Sequence, residues 1–255
     1  MADKKIVQST NEIKGENFHA AKPVGNPVGL RIGAVACWLA DIGMEILAIL
    51  AIAQKCHLFA KDSIDMVLLI GALVIDLAFV IVGSLLWKKA NRIDPASEKN
   101  KVKFWLWNNL GVIVSVVAFL PFIIITLTDK NADKKTKAIA TVVAVIAMLI
   151  GGVASYDFNP VSSEQLQAAQ NALGTSTVYW TVNGNTVHKY HIDPDCYHLK
   201  SAKSENIYEG TVEQAFQDNA TALCKTCQKN HQEIEGINEV DTGDSTPIEE
   251  TSSAN

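Results

Sequence analysis

The sequence predicts an α-helical membrane protein with four transmembrane helices, followed by a small α+β module and a disordered acidic tail. Three observations carry that expectation. Hydrophobic residues make up 48% of the 255-residue chain, but most of them fall in four blocks before Tyr156. Beyond Tyr156, β-branched and aromatic runs alternate with turn residues around a compact set of one histidine and three cysteines. From Gln232 to Asn255 every charged residue is acidic and bulky apolar residues are few, so this tail cannot bury enough surface to order itself.

The four blocks are Ile32 to Ala53, Ile64 to Trp87, Phe104 to Leu127 and Ala138 to Ala154. At about 17 to 24 residues and about 1.5 Å per residue, each suits a hydrocarbon core near 30 Å, the fourth being the shortest. Four buried helices of a soluble core would need more chain to cover them than this polar remainder supplies. The predicted organisation is a polar cytoplasmic segment over 1–30, a transmembrane domain over 31–155, a connecting helix or linker over 156–176, a module over 177–231 and the tail over 232–255. The first thirty residues are polar, carry both charge signs and include Pro23 and Pro27, so no cleaved secretory leader is expected.

Orientation follows from the basic residues between spans. Lys4, Lys5, Lys14, Lys22 and Arg31 precede the first span, and Lys88, Lys89, Arg92, Lys99, Lys101 and Lys103 lie between the second and third. The other side carries Lys55, Lys61, Lys130, Lys134, Lys135 and Lys137. The bias predicts cytoplasmic N- and C-termini in a multi-pass protein of the cell (inner) membrane of a bacterium. Trp87, Trp105 and Trp107 flank the most basic loop, where amphipathic rings suit a headgroup boundary. From Tyr156 onward fifteen acidic residues face five basic ones, which disfavours nucleic acid as a partner.

Within the module, Ser162 and Gln165 have capping-box spacing and Gly174 can end the connecting helix. Thr177 to Val182 and Thr186 to Tyr190, joined through Asn183, Gly184 and Asn185, predict a β-hairpin. Thr211 with Gln214 opens a helix from Val212 to about Ala220. The hairpin end carries His191 and Cys196, and the stretch after the helix carries Cys224 and Cys227. HxxxxC, a gap of 27 residues and CxxC supply three thiolates and one imidazole, the donors of a closed tetrahedral Zn²⁺ site. The expected cofactor is therefore structural Zn²⁺, held by His191, Cys196, Cys224 and Cys227.

The run from Tyr190 to Cys227 carries Cys196, then Ser204-Glu205-Asn206-Ile207, Thr211-Val-Glu-Gln-Ala and Cys224-Lys-Thr-Cys227. Over about 177–231 the chain resembles the zinc-binding domain of Ada-type alkylation-repair proteins and its small metal-binding relatives; the membrane half shares nothing with them. In that family four cysteines hold zinc, and the first accepts a methyl group from DNA phosphotriesters. His191 stands where that cysteine would be, and the gap to Cys196 is one residue longer, so the resemblance implies zinc binding without methyl transfer.

Two other readings of the cluster stay open: three unpaired buried cysteines beside an incidental histidine, and a redox CxxC pair. The redox reading leaves His191 and Cys196 unexplained and lacks a βαβ context. His188 and His198 fall outside the ligand pattern, and Cys37 and Cys56 read as a small buried residue and a loop residue.

Asp41 and Glu45 lie one turn apart in the first span, and Asp76 lies midway along the second. Counting about 1.5 Å per residue from the basic side puts them near 14, 20 and 17 Å, with no lysine or arginine at that depth. They form a candidate ion or proton site, with hydrogen bonding between helices as the alternative. Asn108 and Asn109 read as packing or headgroup contacts, and Pro121 as a kink.

The expected function is a membrane protein whose cytoplasmic zinc module binds, scaffolds or regulates without catalysis of its own. The alternative is a small proton or cation transporter built on Asp41, Glu45 and Asp76. Expected partners are the lipid bilayer and a protein met through the module; a second copy of the chain is a further candidate.

Overall fold

The computed structural model describes residues 18–56, 58, 65–130, 132–174, 176–182, 188–201 and 206–231. The turn at 183–185, Ser204, Glu205, the first seventeen residues and the tail lie outside the described residues. In chain order the elements are β1 (Phe18–Ala20), α1 (Pro27–Ile52), α2 (Met66–Ile93), α3 (Lys101–Asn108), α4 (Leu110–Thr128), α5 (Lys134–Ser155), α6 (Ser163–Leu173), β2 (Val178–Trp180), β3 (Lys189–His191), α7 (Tyr197–Lys200), β4 (Ile207–Gly210), α8 (Val212–Gln217), β5 (Ala222–Leu223) and α9 (Lys225–Asn230).

Four of these helices, α1, α2, α4 and α5, are long and apolar enough to cross a membrane. Their 26, 28, 19 and 22 residues correspond to about 28 to 42 Å. Each starts where a side chain satisfies free amides or where the chain is broken. Asn26 accepts from Val28 and Gly29, Asp65 from Leu68, and Asp133 from Lys135 and Thr136. The Asp133 cap carries α5 back to Lys134, so the fourth span is longer than expected and α4 becomes the shortest.

The third predicted span is divided at Asn109, with α3 before it and α4 after it. Asn108 and Asn109 donate their amides to the carbonyls of Phe104 and Trp105, four residues back, and Asn109 Oδ1 accepts the Asp157 N–H at 3.1 Å. Side chains that bond the preceding turn compete with a straight helix, and Asn109 also ties that break to the end of α5.

The bundle is inside-out relative to a water-soluble one. On α1, Val28, Ile32, Val35, Leu39, Ile42 and Ile46 point outward at helical spacing, while the inward face carries Ala34, Trp38, Asp41, Glu45 and Ala48. A soluble helix buries its apolar stripe; this one displays it and covers its acids, as a hydrocarbon environment favours. Between α2, α4 and α5 small residues allow close approach. A Cβ on Gly111 would collide with Ser84 Oγ, which accepts from Ser155 at 2.8 Å and donates to the Val80 carbonyl at 2.7 Å.

Trp87 departs from its expected role as a headgroup anchor. It is buried between Trp38 and Trp107, with ring centroids 5.4 and 5.1 Å away, and donates its indole N–H to the Trp107 carbonyl. Arg31 lies over the Trp87 and Trp107 rings and pairs with Asp94 at 2.7 Å, while Trp105 remains exposed.

At the Arg31 end of the bundle stands a five-stranded sheet of order β1-β4-β2-β3-β5. The expected hairpin is present as the antiparallel pair β2–β3, but it lies within a larger sheet. β1 joins it from the far end of the sequence, parallel to β4 with Phe18 opposite Ile207, so part of the predicted N-terminal segment belongs to the module. α6, expected as a connector, sends Ala169 and Leu173 into the core formed by Val178, Trp180, Tyr190, Leu199 and Phe216. Both predicted capping boxes form, and Gly174 ends α6 at φ +56°, a left-handed conformation suited to glycine.

The module also meets the bundle at specific points. Gly25 donates to Gln217 Oε1 at 2.6 Å, Gln214 donates to the Lys22 carbonyl at 3.0 Å, and Ser163 donates to the Ala96 carbonyl at 3.0 Å. Ser97 and the Glu98 N–H donate to the Glu164 carboxylate, which those bonds lower to a pKa of about 2. Arg92, at the end of α2, lies within electrostatic range of Asp157 and Asp218. Since β1 pairs with β4, the two ends of the described chain lie on one side of the bundle.

Candidate metal centre

The register of two strands brings the first ligands together. β3 and β5 run parallel with Lys189 opposite Ala222 and Tyr190 opposite Leu223, so the next residues, His191 and Cys224, come side by side. The Cys224 N–H donates to the Tyr190 carbonyl at 2.9 Å and fixes that register. After His191 the chain turns on Asp193, whose side chain accepts the Asp195 N–H at 2.8 Å and whose carbonyl accepts the Cys196 N–H at 3.1 Å. Cys196 then precedes α7. Cys224 precedes α9, and Cys227 sits within α9.

The ligand atoms of His191, Cys196, Cys224 and Cys227 all lie within 4.8 Å of one another, and all four residues are buried. Cys196 Sγ and Cys224 Sγ are 4.0 Å apart, and Cys227 Sγ is 3.7 Å from His191 Nδ1. Four donors around one tetrahedral ion, with sulfur at about 2.3 Å and nitrogen at about 2.0–2.1 Å, would stand about 3.8 Å apart for two sulfurs and about 3.6 Å for sulfur and nitrogen. The observed separations fit one ion. They also lie well beyond a disulfide bond of about 2.05 Å, and all three thiols are free.

The environment suits a cation that replaces thiol protons. Burial, helped by the nearby charges of His198 and Lys189, lowers the His191 imidazole to a pKa of about 4, which leaves a nitrogen lone pair available at neutral pH. Nδ1 is the ring nitrogen that approaches Cys227 Sγ, and Nε2 is buried with no hydrogen-bond partner among the described residues. Burial pushes the Cys227 thiol up to about 12, against N–H bonds from Asp193 and Ile192. At Cys224 burial acts in the same direction, but amides of Cys227 and Thr226 and the neighbouring thiols outweigh it and bring the thiol below its ordinary value. Amides aimed at sulfur stabilise thiolate, and a divalent cation would complete that stabilisation.

His188 and His198 stay outside the cluster. His188 Nδ1 meets the Asn219 amide nitrogen at 2.9 Å, and His198 is exposed against the Tyr197 ring. Cys37 is half-buried within α1 rather than enclosed, and Cys56 follows the end of α1. The acids of α1 and α2 are drawn inward: Asp41, Glu45 and Asp76 are 1%, 7% and 0% exposed. The Asp41 and Asp76 carboxyls face one another, and Glu45 reaches the Phe122 backbone on α4. Among the described residues, the group whose donor atoms converge for a metal is the His/Cys set.

Sequence reasoning missed Asp193, which shapes the loop between His191 and Cys196, and β5, which positions Cys224. The Asp-Pro-Asp run of 193–195 is a legible turn signal, whereas two-residue β5 has no pattern of its own. Comparison with protein-family models, with curated proteins and with solved structures gives no match for this chain.

Proposed function

We propose that this chain is a four-span integral membrane protein carrying a structural-zinc module on its cytoplasmic side, used to bind, scaffold or regulate rather than to catalyse. The observation that carries the reading is the closed donor set: one imidazole and three thiols, all buried, with separations suited to one tetrahedral ion. Such a site has no coordination position left for water or substrate, which catalytic zinc requires. Zinc fits this S₃N set best, and the resemblance of 177–231 to the Ada-type domain supports the same metal. His191 in place of the methyl-accepting cysteine argues against methyl transfer.

The outward apolar faces of α1, α2, α4 and α5 support a bilayer as the surrounding phase, and the excess of basic residues on the module's side supports its cytoplasmic placement. A reducing cytosol also keeps three cysteines free for metal. The module contacts the bundle through Gly25, Ala96 and Gln217, so it is suited to present a surface at a fixed distance from the membrane.

The test is cobalt substitution of the full chain in detergent. A closed site should give the intense visible absorption of four-coordinate thiolate-bound Co²⁺, unchanged by azide, cyanide or thiocyanate. A spectrum that shifts on adding those ligands would reveal an open position and overturn the structural reading.

A further inference from the structure

We propose that Asp41 and Asp76 form a proton-binding site in the middle of the bundle, holding at least one proton between α1 and α2. Both side chains are almost wholly enclosed, at 1% and 0% exposure. The two carboxyls lie within hydrogen-bonding reach of one another. Yet neither oxygen of Asp76 receives an N–H or O–H from the protein among the described residues, and Asp41 Oδ1 receives none. An ionised carboxylate only accepts hydrogen bonds, so two ionised groups placed face to face have nothing to join them. A proton on one makes it a donor to the other and removes a like-charge contact from a region without water.

The surrounding helices offer no other neutralising group. On α1 the remaining charged residues are Arg31, ten residues before Asp41 and so about 15 Å along the axis, and Glu45. On α2 they are Lys88, Lys89 and Arg92, at least twelve residues beyond Asp76, or about 18 Å. α4 has no charged residue, and those of α5 are Lys134, Lys135 and Lys137 at its first turn. Glu45 lies near the pair but is turned to the Phe122 backbone. A metal cation fits less well, because the three acids do not converge as the His/Cys donors do. The site joins the two helices packed most extensively against each other, so loss of the proton would set like charges across the α1–α2 contact.

Infrared spectroscopy of the full chain in detergent at neutral pH tests this directly. The wild type should show the C=O stretch of an un-ionised carboxyl in an apolar setting, shifted in D₂O and unaffected by Na⁺, K⁺, Mg²⁺ or Ca²⁺. Asp41→Asn and Asp76→Asn should each shift the band, because the remaining carboxyl then meets an amide in place of its acidic partner, while the two changes together should remove it and Glu45→Gln should leave it unshifted. If one Asn variant does not fold, the other carries the same comparison. Absence of the band in the wild type, an unshifted band in either folded single variant, its survival in the double variant, or its loss on adding one of those cations at constant pH would overturn the proposal.

Discussion

Cys227→Ser should abolish stable metal binding and unravel β3, β5 and α9, while the four long helices stay folded. Cys227 is fully buried within α9 and, among the described residues, belongs to the set of metal donors that joins this helix to the end of β3. A serine hydroxyl is a poor substitute for thiolate, so the loss in affinity should exceed the roughly 10–100-fold typical of losing a group that only hydrogen-bonds to a ligand. Because metal binding and folding are coupled in small metal modules, amide exchange over 188–201 and 222–231 should approach unprotected rates in the variant. Full protection in Cys227→Ser would mean that the aromatic core of Trp180, Tyr190 and Phe216 holds this region without metal. The full chain is needed, since a fragment beginning at Tyr156 would lack β1 and its pairing with β4.

Arg92→Glu should release the module from the bundle. Arg92 lies near Asp157, which is 5% exposed at the end of α5, and near Asp218, which accepts the Trp180 indole N–H at 3.2 Å. Reversing that charge sets three carboxylates together at a junction partly closed to water, a cost on the order of 3 kcal/mol at an effective dielectric constant near 20. Arg92→Gln should cost less, because it removes attraction without adding repulsion. The readout is limited proteolysis between Tyr156 and Val161, which should become rapid in inside-out vesicles of Arg92→Glu and remain slow in wild type. Cleavage from outside intact cells would place the module on the opposite side, and equal rates in wild type and variant would remove Arg92 from the junction.

The parts legible in the sequence were those encoded locally. Apolar runs mark helices wherever they occur, and the Ser162–Gln165 and Thr211–Gln214 caps form as their spacing requires. The four His/Cys residues were legible because ligand type and spacing constrain a metal site more tightly than any fold around it. What stayed hidden depends on distant pairing. Phe18–Ala20 is too short to announce a strand, and its partner lies at Ile207–Glu209. α8 ends at Gln217 rather than near Ala220, because Asn219 takes a positive φ of 68° that breaks the helix and turns the chain toward β5. The position of Trp87 near a basic loop is readable and suggests an interfacial ring, whereas its packing against Trp38 and Trp107 is a property of assembled helices.

The most direct test of the zinc module is metal analysis of the full chain purified without added metal or chelator, with protein quantified by amino-acid analysis. The account predicts close to one zinc per chain, retained through dialysis, and almost none in a Cys196→Ser, Cys224→Ser double variant. A wild-type chain that is well folded and free of zinc, or zinc that persists in the double variant, would contradict it.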